Sequence, residues 1–112
     1  MPYTIDGILH DPLLTVEYRH DDMGSFAIRI GTLQTTVFIE LGRFRTGPMT
    51  KFRASHAIHT PVQAGPYRTS KRFDDDWEYA LFRAVDALLS HYREAIAAGH
   101  QPEESWLVGN NA

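Results

Sequence analysis

The sequence predicts an α+β fold: an antiparallel meander of about four strands, followed by one long amphipathic helix packed on one face, in the order β-β-β-β-α. Two observations carry this prediction. Strand-like alternating or continuous apolar stretches occur between residues 13 and 60, and apolar residues recur at helical spacing after residue 75. We expect strands within 13–60, a loop at 61–73, a helix at about 75–98 and a tail at 99–112. The 112 residues are enough to bury the core of a single domain over 1–112.

Both ends of the predicted helix are marked. Asp75 is a candidate N-cap, because Glu78 three residues later can complete a capping box. Gly99 is the residue type that commonly ends a helix in the left-handed conformation, and Pro102 prevents its continuation. The expected apolar face consists of Trp77, Leu81, Ala84, Val85, Leu88, Tyr92, Ala95 and Ile96.

Phe82 and Leu89 lie on the flank of this apolar face and widen it. Two interpretations of the flank are open. Either both side chains belong to the core of one molecule, or they form the interface of a homodimer that is held together through the helix.

The strand pattern also assigns faces, because successive side chains of a strand point to opposite sides. In the first strand, Leu14, Val16 and Tyr18 share one side and polar residues take the other. The stretch 36–41 is apolar on both sides, since Phe38 occupies a position that alternation reserves for a polar residue. Such a strand is usually central in its sheet or buried by a partner.

The two ends of the chain are less regular. Residues 1–12 are expected to form a short strand or a packed arm. Residues 103–108 are expected either to add a short strand or to pack Trp106 and Leu107 across the edge of the sheet.

Charge is distributed unevenly, although the net charge is only -3. Residues 43–72 contain seven Lys and Arg residues and no acid. Four of these cations share one parity around a turn at 46–48, so a turn that preserves facing would place all four on one surface. The four are Arg43, Arg45, Lys51 and Arg53. The predicted partner-binding residues are Arg43, Arg45, Lys51, Arg53, Tyr67, Arg68, Lys71 and Arg72.

Three roles for this basic region are open. The cations can be solvated or paired with acids of the same chain, they can dock an acidic protein surface, or they can form a single-stranded nucleic-acid platform with interleaved aromatics. The acidic net charge disfavours a general nucleic-acid binder, which gains from long-range attraction. A protein partner is therefore the main expectation, and nucleic acid is the alternative.

No catalytic, metal or nucleotide motif stands out. His56 and His59 are three residues apart, which on a strand directs them to opposite faces. Ser55 precedes His56, but strand neighbours also face apart, and no nucleophile elbow surrounds this serine. Capping of the helix accounts for the acidic run 74–76. The chain has no cysteine, which excludes thiolate chemistry and disulfides. We expect a protein that is not an enzyme and has no metal and no cofactor; an enzyme would instead need a pocket lined by one of these histidines with acids nearby.

The segment from Asp75 to Leu81, continued by Ala95 to Pro102, resembles the helix of HicB-type antitoxins. In that family, too, an acid-capped helix follows a small sheet and ends in a glycine-proline turn. The resemblance is limited to this helix, and the sheet here lacks the short proline-glycine segment that precedes the helix in the family. The resemblance implies toxin neutralisation as one form of partner binding.

The sequence therefore predicts a small non-catalytic binding or regulatory protein, for which an inhibitor or antitoxin of bacterial or phage type is one form. The alternative is a nucleic-acid-binding protein that uses residues 43–72. We expect it in the cytoplasm and away from membranes, because the amino terminus has no secretory pattern and no apolar run approaches the length of a membrane span.

Overall fold

The computed structural model of the protein describes residues 3–43, 49–67, 73–74 and 76–110. In chain order, its elements are α1 (Ile5–Leu9), β1 (Leu14–His20), β2 (Ser25–Ile30), β3 (Val37–Arg43), β4 (Thr50–Ala54), β5 (His56–Ile58), β6 (Phe73–Asp74), α2 (Trp77–Ala97), a 3₁₀ turn (Glu104–Trp106) and β7 (Leu107–Gly109).

Five strands form the main sheet in the order β1-β2-β3-β4-β6, and each neighbouring pair is antiparallel. A second, two-stranded sheet pairs β5 with β7. The long helix α2 packs on one face of the main sheet. The predicted α+β fold, with a meander β1-β4 followed by a helix on one face, is thus confirmed. Phe73 belongs to β6 rather than to the predicted loop, because it pairs with Lys51 of β4.

Helix α2 begins one residue later than the capping box predicts. Asp76 is the N-cap, and its Oδ1 accepts hydrogen bonds from the backbone N–H groups of Glu78 at 3.0 Å and Tyr79 at 3.5 Å. The prediction of Asp75 as the cap is therefore wrong; Asp75 itself lies outside the described residues. Gly99 ends the helix as predicted, with φ +92° and its N–H bonded to the carbonyl of Ile96 at 3.0 Å.

The core lies between α2 and the inner face of the main sheet. Alternate residues of β2, β3 and β4 point inward, and the apolar face of α2 closes over them, which removes their apolar surface from water. Gly31 at the end of β2 has φ +53°, and a Cβ at this position would overlap the Tyr92 hydroxyl. The largest fully buried apolar side chains are Phe26, Ile28, Ile30, Leu33, Val37, Ile39, Ile58 and Leu81.

The N-terminal segment forms a short helix instead of the expected strand, and it packs against the rest of the molecule, as the alternative of a packed arm predicts. Thr4 caps α1 by accepting a hydrogen bond from Gly7 N–H at 3.0 Å. Ile8 is buried in the core cluster. Just after α1, both carboxylate oxygens of Asp11 accept hydrogen bonds from Arg93 of α2 at 2.6 Å. Helix α1 therefore lies across the flank of α2.

The tail after α2 completes the second sheet and ties it to the first. β7 forms the short strand that was one of the two expectations for this segment. Trp106 is buried and contacts Tyr92 edge to face, with 5.8 Å between ring centroids. The Glu104 carboxylate accepts hydrogen bonds from Gln34 N–H at 2.7 Å and Thr35 N–H at 3.1 Å, which fixes the connection between β2 and β3.

Candidate functional site

The face of the main sheet that points away from α2 carries a row of apolar side chains. Tyr18 of β1 pairs with Ala27 of β2, and Ala27 pairs with Phe38 of β3. We call these three residues the aromatic row. Tyr18 is 53% exposed and Phe38 is 55% exposed, whereas Ala27 between them is 5% exposed. Two large rings thus flank a small residue in the middle of an open sheet face.

An irregularity of β1 places Tyr18 in this row. The strand register passes from Val16 opposite Ile28 to Tyr18 opposite Ala27, so Glu17 is an extra residue in β1. Such a bulge changes the facing of the residues that follow it. The sequence prediction that Tyr18 shares a side with Leu14 and Val16 is therefore wrong, because strict alternation does not allow for the extra residue.

Charged side chains border the aromatic row on both sides. On one side, which we call the first charged row, Arg29 Nε lies 3.2 Å from the Glu17 carboxylate, and this carboxylate also accepts a hydrogen bond from the Thr36 hydroxyl at 2.5 Å. On the other side, which we call the second charged row, Arg53 Nη2 lies 3.2 Å from the Glu40 carboxylate. Each row thus contains one arginine and one glutamate that are paired.

Together with Lys51 of β4, these rows make up what we call the outer face. Lys51 belongs to it because its strand neighbours Thr50 and Phe52 are buried on the inner side. The charged and apolar residues of the outer face in the described part of the chain are Glu17, Tyr18, Ala27, Arg29, Phe38, Glu40, Lys51 and Arg53, and the pairings place Thr15, His20 and Ser25 on the same face. Among these described residues, three Lys and Arg side chains and two carboxylates nearly balance.

The strand register contradicts the prediction that four cations share one surface. Arg43 lies opposite Thr50, whereas Lys51 lies opposite Gly42. Paired residues of an antiparallel ladder share a face, so Arg43 and Lys51 point to opposite sides of the sheet. The Arg43 guanidinium accordingly stacks over the Trp77 ring of α2 at 4.2 Å, on the inner side. The assumption that facing is the same for Arg43 and Lys51 is therefore wrong.

One further predicted partner-binding residue, Tyr67, lies within the described part of the chain; it is 41% exposed and borders the groove beside Phe38 that is described below. Tyr67 donates its backbone N–H to the carbonyl of Ile58 at 2.9 Å, and its ring lies 4.8 Å from the ring of His91 on α2. It is therefore placed beside the helix. Four of the predicted residues lie outside the described residues: Arg45, Arg68, Lys71 and Arg72.

The predicted dimer flank of α2 is covered within the molecule. Leu89 is only 3% exposed and borders, with Ile8 of α1, a cleft between the two helices. Phe82 stacks on Tyr3 with 4.2 Å between ring centroids. Helix α1 and Tyr3 thus lie against this flank within one chain, as expected if both side chains belong to the packing of one molecule. A dimer through Phe82 and Leu89 stays a prediction, and it would require α1 to move.

A groove of about 280 Å³ opens beside Phe38, where the chain bends from β4 into β5. Ser55 sits at this bend, and its Oγ lies 2.8 Å from Nδ1 of His56. The two side chains therefore meet, contrary to the prediction that they face apart, because the bend interrupts the alternation. The groove is lined by Phe38, Glu40, Phe52, Arg53, Ala54, Ser55, His56, Ala57, Tyr67, Ala84, Ala87, Leu88 and Asn110.

The Ser55 hydroxyl completes the sheet at this bend. Ser55 N–H donates to the carbonyl of Phe38 at 2.8 Å, and Phe38 N–H donates to Ser55 Oγ, also at 2.8 Å. The hydroxyl thus replaces a backbone acceptor. Among the described residues, no carboxylate is hydrogen-bonded to the His56 ring, so the third member of a catalytic triad is not in place there.

In the part of the chain that the structure describes, no three His, Asp or Glu residues come together as metal ligands would. None of the described helices combines the length and the apolar character that a bilayer crossing requires. The chain matches no protein-family model, no curated protein and no solved structure. The fold and the outer face thus define a class, a two-layer α+β protein with an open sheet face.

Proposed function

We propose that this protein is a non-catalytic binding protein, and that its outer face is the contact surface for another protein. The observation that supports this proposal best is the aromatic row. Phe38 on the central strand β3 and Tyr18 on the edge strand β1 are each about half exposed on the open face of the sheet. Aromatic residues and arginine are enriched in protein interfaces and contribute most of the binding free energy there.

The arrangement of the face fits this role. An apolar centre surrounded by a polar rim is the usual anatomy of a protein interface. Here Tyr18, Ala27 and Phe38 supply the apolar row, and the two charged rows border it on both sides. The groove beside Phe38, of about 280 Å³, is large enough to receive a side chain of the partner.

The charges of the face favour a protein over nucleic acid. A nucleic-acid platform needs cations that are available for phosphates. Arg29 and Arg53 each lie against a glutamate, and those two carboxylates would repel phosphate groups. Arg43, which the sequence assigned to the same surface, stacks on Trp77 on the inner side of the sheet.

Site-specific photo-crosslinking in the source cell tests this proposal. A benzophenone amino acid in place of Phe38 should form covalent adducts with a protein, because the outer face is buried in the complex. The matched control carries the same probe in place of Val62, a comparably exposed apolar residue in the turn after β5. Adducts at position 38 should also decrease when Tyr18→Ser is added. Equal adducts at both positions, or none at position 38, would contradict the proposal.

A further inference from the structure

We infer that the protein bound by the outer face is a second copy of this chain, an inference that rests on the proposed function. The first reason is charge. The two glutamates and three cations of the outer face nearly cancel, so two copies of this face do not repel each other. A face designed only for a strongly acidic or basic partner would carry an excess of one sign.

The second reason is the symmetry of the rows. In a two-fold dimer, the same patch of both subunits must be complementary to itself. A two-fold axis along the aromatic row sets Tyr18, Ala27 and Phe38 of one copy against the same residues of the other. Because this axis reverses the direction along the strands, the first charged rows of the two copies are then on opposite sides of the aromatic row, as are the second charged rows.

In this arrangement, each side chain of a charged row faces a different side chain of the second copy. The first charged row of each copy then faces the second charged row of the other. Arg29 stands opposite Ser25 of the second copy and one strand away from its Glu40, because Ser25 and Glu40 are paired neighbours in the sheet. Glu17 faces the end of β1 of the second copy, where His20 pairs with Ser25. No two charges of the same sign are placed directly opposite.

The third reason is the area. Four strands spaced about 4.8 Å apart and about 24 Å long give a footprint on the order of 450 Å². This projected footprint is smaller than the roughly 800 Å² per partner of a standard interface. Two sheets that pack face to face at about 10 Å can bury such a surface. An interface of this size fits a reversible dimer rather than a permanent one.

The monomer does not depend on this contact for its folding. The core between α2 and the inner face is closed within one chain, and α1 already covers the flank of α2. Substitutions on the outer face should therefore abolish the dimer while the monomer remains folded, which separates loss of binding from loss of structure.

Sedimentation analysis of the purified chain tests the inference. Between about 1 μM and about 1 mM protein, we expect the mass to rise from that of one chain, 12.7 kDa, toward twice that value. Phe38→Ser and Tyr18→Ser should remain monomeric over the same range, while Val62→Ser should associate like the wild type. A monomer at all concentrations, or a dimer that survives Phe38→Ser, would overturn the inference.

Photo-crosslinking distinguishes this inference from the proposed function. With the benzophenone probe in place of Phe38, the purified protein alone should give a covalent dimer, and the probe in place of Val62 should not. If the purified protein stays monomeric but cells yield an adduct with a different protein at position 38, the second copy is wrong and the proposed function stands. If neither experiment gives an adduct, both are wrong.

Discussion

Tyr18 lies directly opposite Ala27 because Glu17 is an extra residue in β1. In a regular strand, Glu17 would stand opposite Ala27, and Tyr18 would point into the core beside Phe26. The bulge instead directs both Glu17 and Tyr18 to the outer face. Bulges commonly redirect a side chain in this way near functional surfaces. One extra residue therefore supplies both an aromatic ring and a carboxylate to the proposed interface.

Neighbouring residues of β3 should respond very differently to truncation. Ile39→Ala removes a fully buried side chain, so we expect its free energy of unfolding to fall by about 2–5 kcal/mol. Phe38→Ala removes a ring that is 55% exposed, and we expect a loss of about 1 kcal/mol or less. Urea unfolding at a concentration where the protein is monomeric measures both. A large loss for Phe38→Ala would mean that this ring supports the fold rather than an interface.

Gly31 should tolerate no side chain. Its φ of +53° costs an L-residue about 1–2 kcal/mol, and the added Cβ would also overlap the Tyr92 hydroxyl. We therefore expect Gly31→Ala to lower the melting temperature clearly. Gly65→Ala is the matched control, because a Cβ there meets nothing within 4 Å and the backbone of Gly65 is not in the left-handed region. Equal melting temperatures for the two variants would contradict the described packing of Tyr92 against Gly31.

The link between α1 and α2 should weaken in acid. The hydrogen bonds from Arg93 hold the pKa of the Asp11 carboxyl below its ordinary value. Because the folded-state pKa is the lower one, the pair stabilises the fold fully above the unfolded-state pKa of about 3.9, and this stabilisation disappears as the pH falls through the folded-state pKa.

Asp11→Asn provides the test of this pH dependence. Its free energy of unfolding should lie below that of the wild type at neutral pH, and the difference should shrink as the pH falls below about 4. Urea titrations at several pH values, followed by tryptophan fluorescence, give the comparison. Asp22→Asn is a control, because Asp22 lies in the β1–β2 turn and makes no described ion pair. A difference that persists unchanged in acid would show that the charge of Asp11 is not responsible.

Mixed oligonucleotides should not bind in a salt-dependent manner near neutral pH. For a protein that makes n phosphate contacts to a single strand, the logarithm of the binding constant falls with the logarithm of the salt concentration, with a slope of about −0.7n. The paired arginines of the outer face and the position of Arg43 over Trp77 leave no single basic surface among the described residues. Fluorescence-anisotropy titrations of labelled oligonucleotides with the protein, at low and at high salt, measure this binding. Salt-sensitive binding that is lost in Lys51→Gln would instead support the nucleic-acid alternative.

The architecture could be predicted because periodicity reports which face of each element is buried. The helix pattern up to Ala95 and the alternation of β2 correspond to the core observed, whereas Ile96, which the pattern placed on the same apolar face, is 41% exposed. The same reasoning failed where the alternation of inward and outward side chains shifts by one residue. This happens at the bulge of Glu17 and between Arg43 and Thr50. The side of the sheet to which a side chain points depends on how many residues each bulge or turn contains. The sequence pattern does not reveal that number.

Part of the candidate site was visible in the sequence. Phe38 interrupts the polar positions of β3, and a partner was one of two explanations for an apolar strand on both faces. The structure shows that β3 is central in the sheet and that Phe38 is nevertheless exposed. Tyr18 was missed because its facing depends on the bulge, and α1 was missed because five residues are too few for a periodic pattern.

The bend at Ser55 has a consequence for the kinetics and entropy of association. Ser55 holds both the backbone amide and the carbonyl of Phe38, from a position outside the aromatic row. The central anchor of the outer face is thereby preorganised, so that little backbone freedom remains to be lost when the surface is covered. Ser55→Ala would leave that amide without its acceptor, and the contact should then dissociate faster even though every residue of the outer face is unchanged.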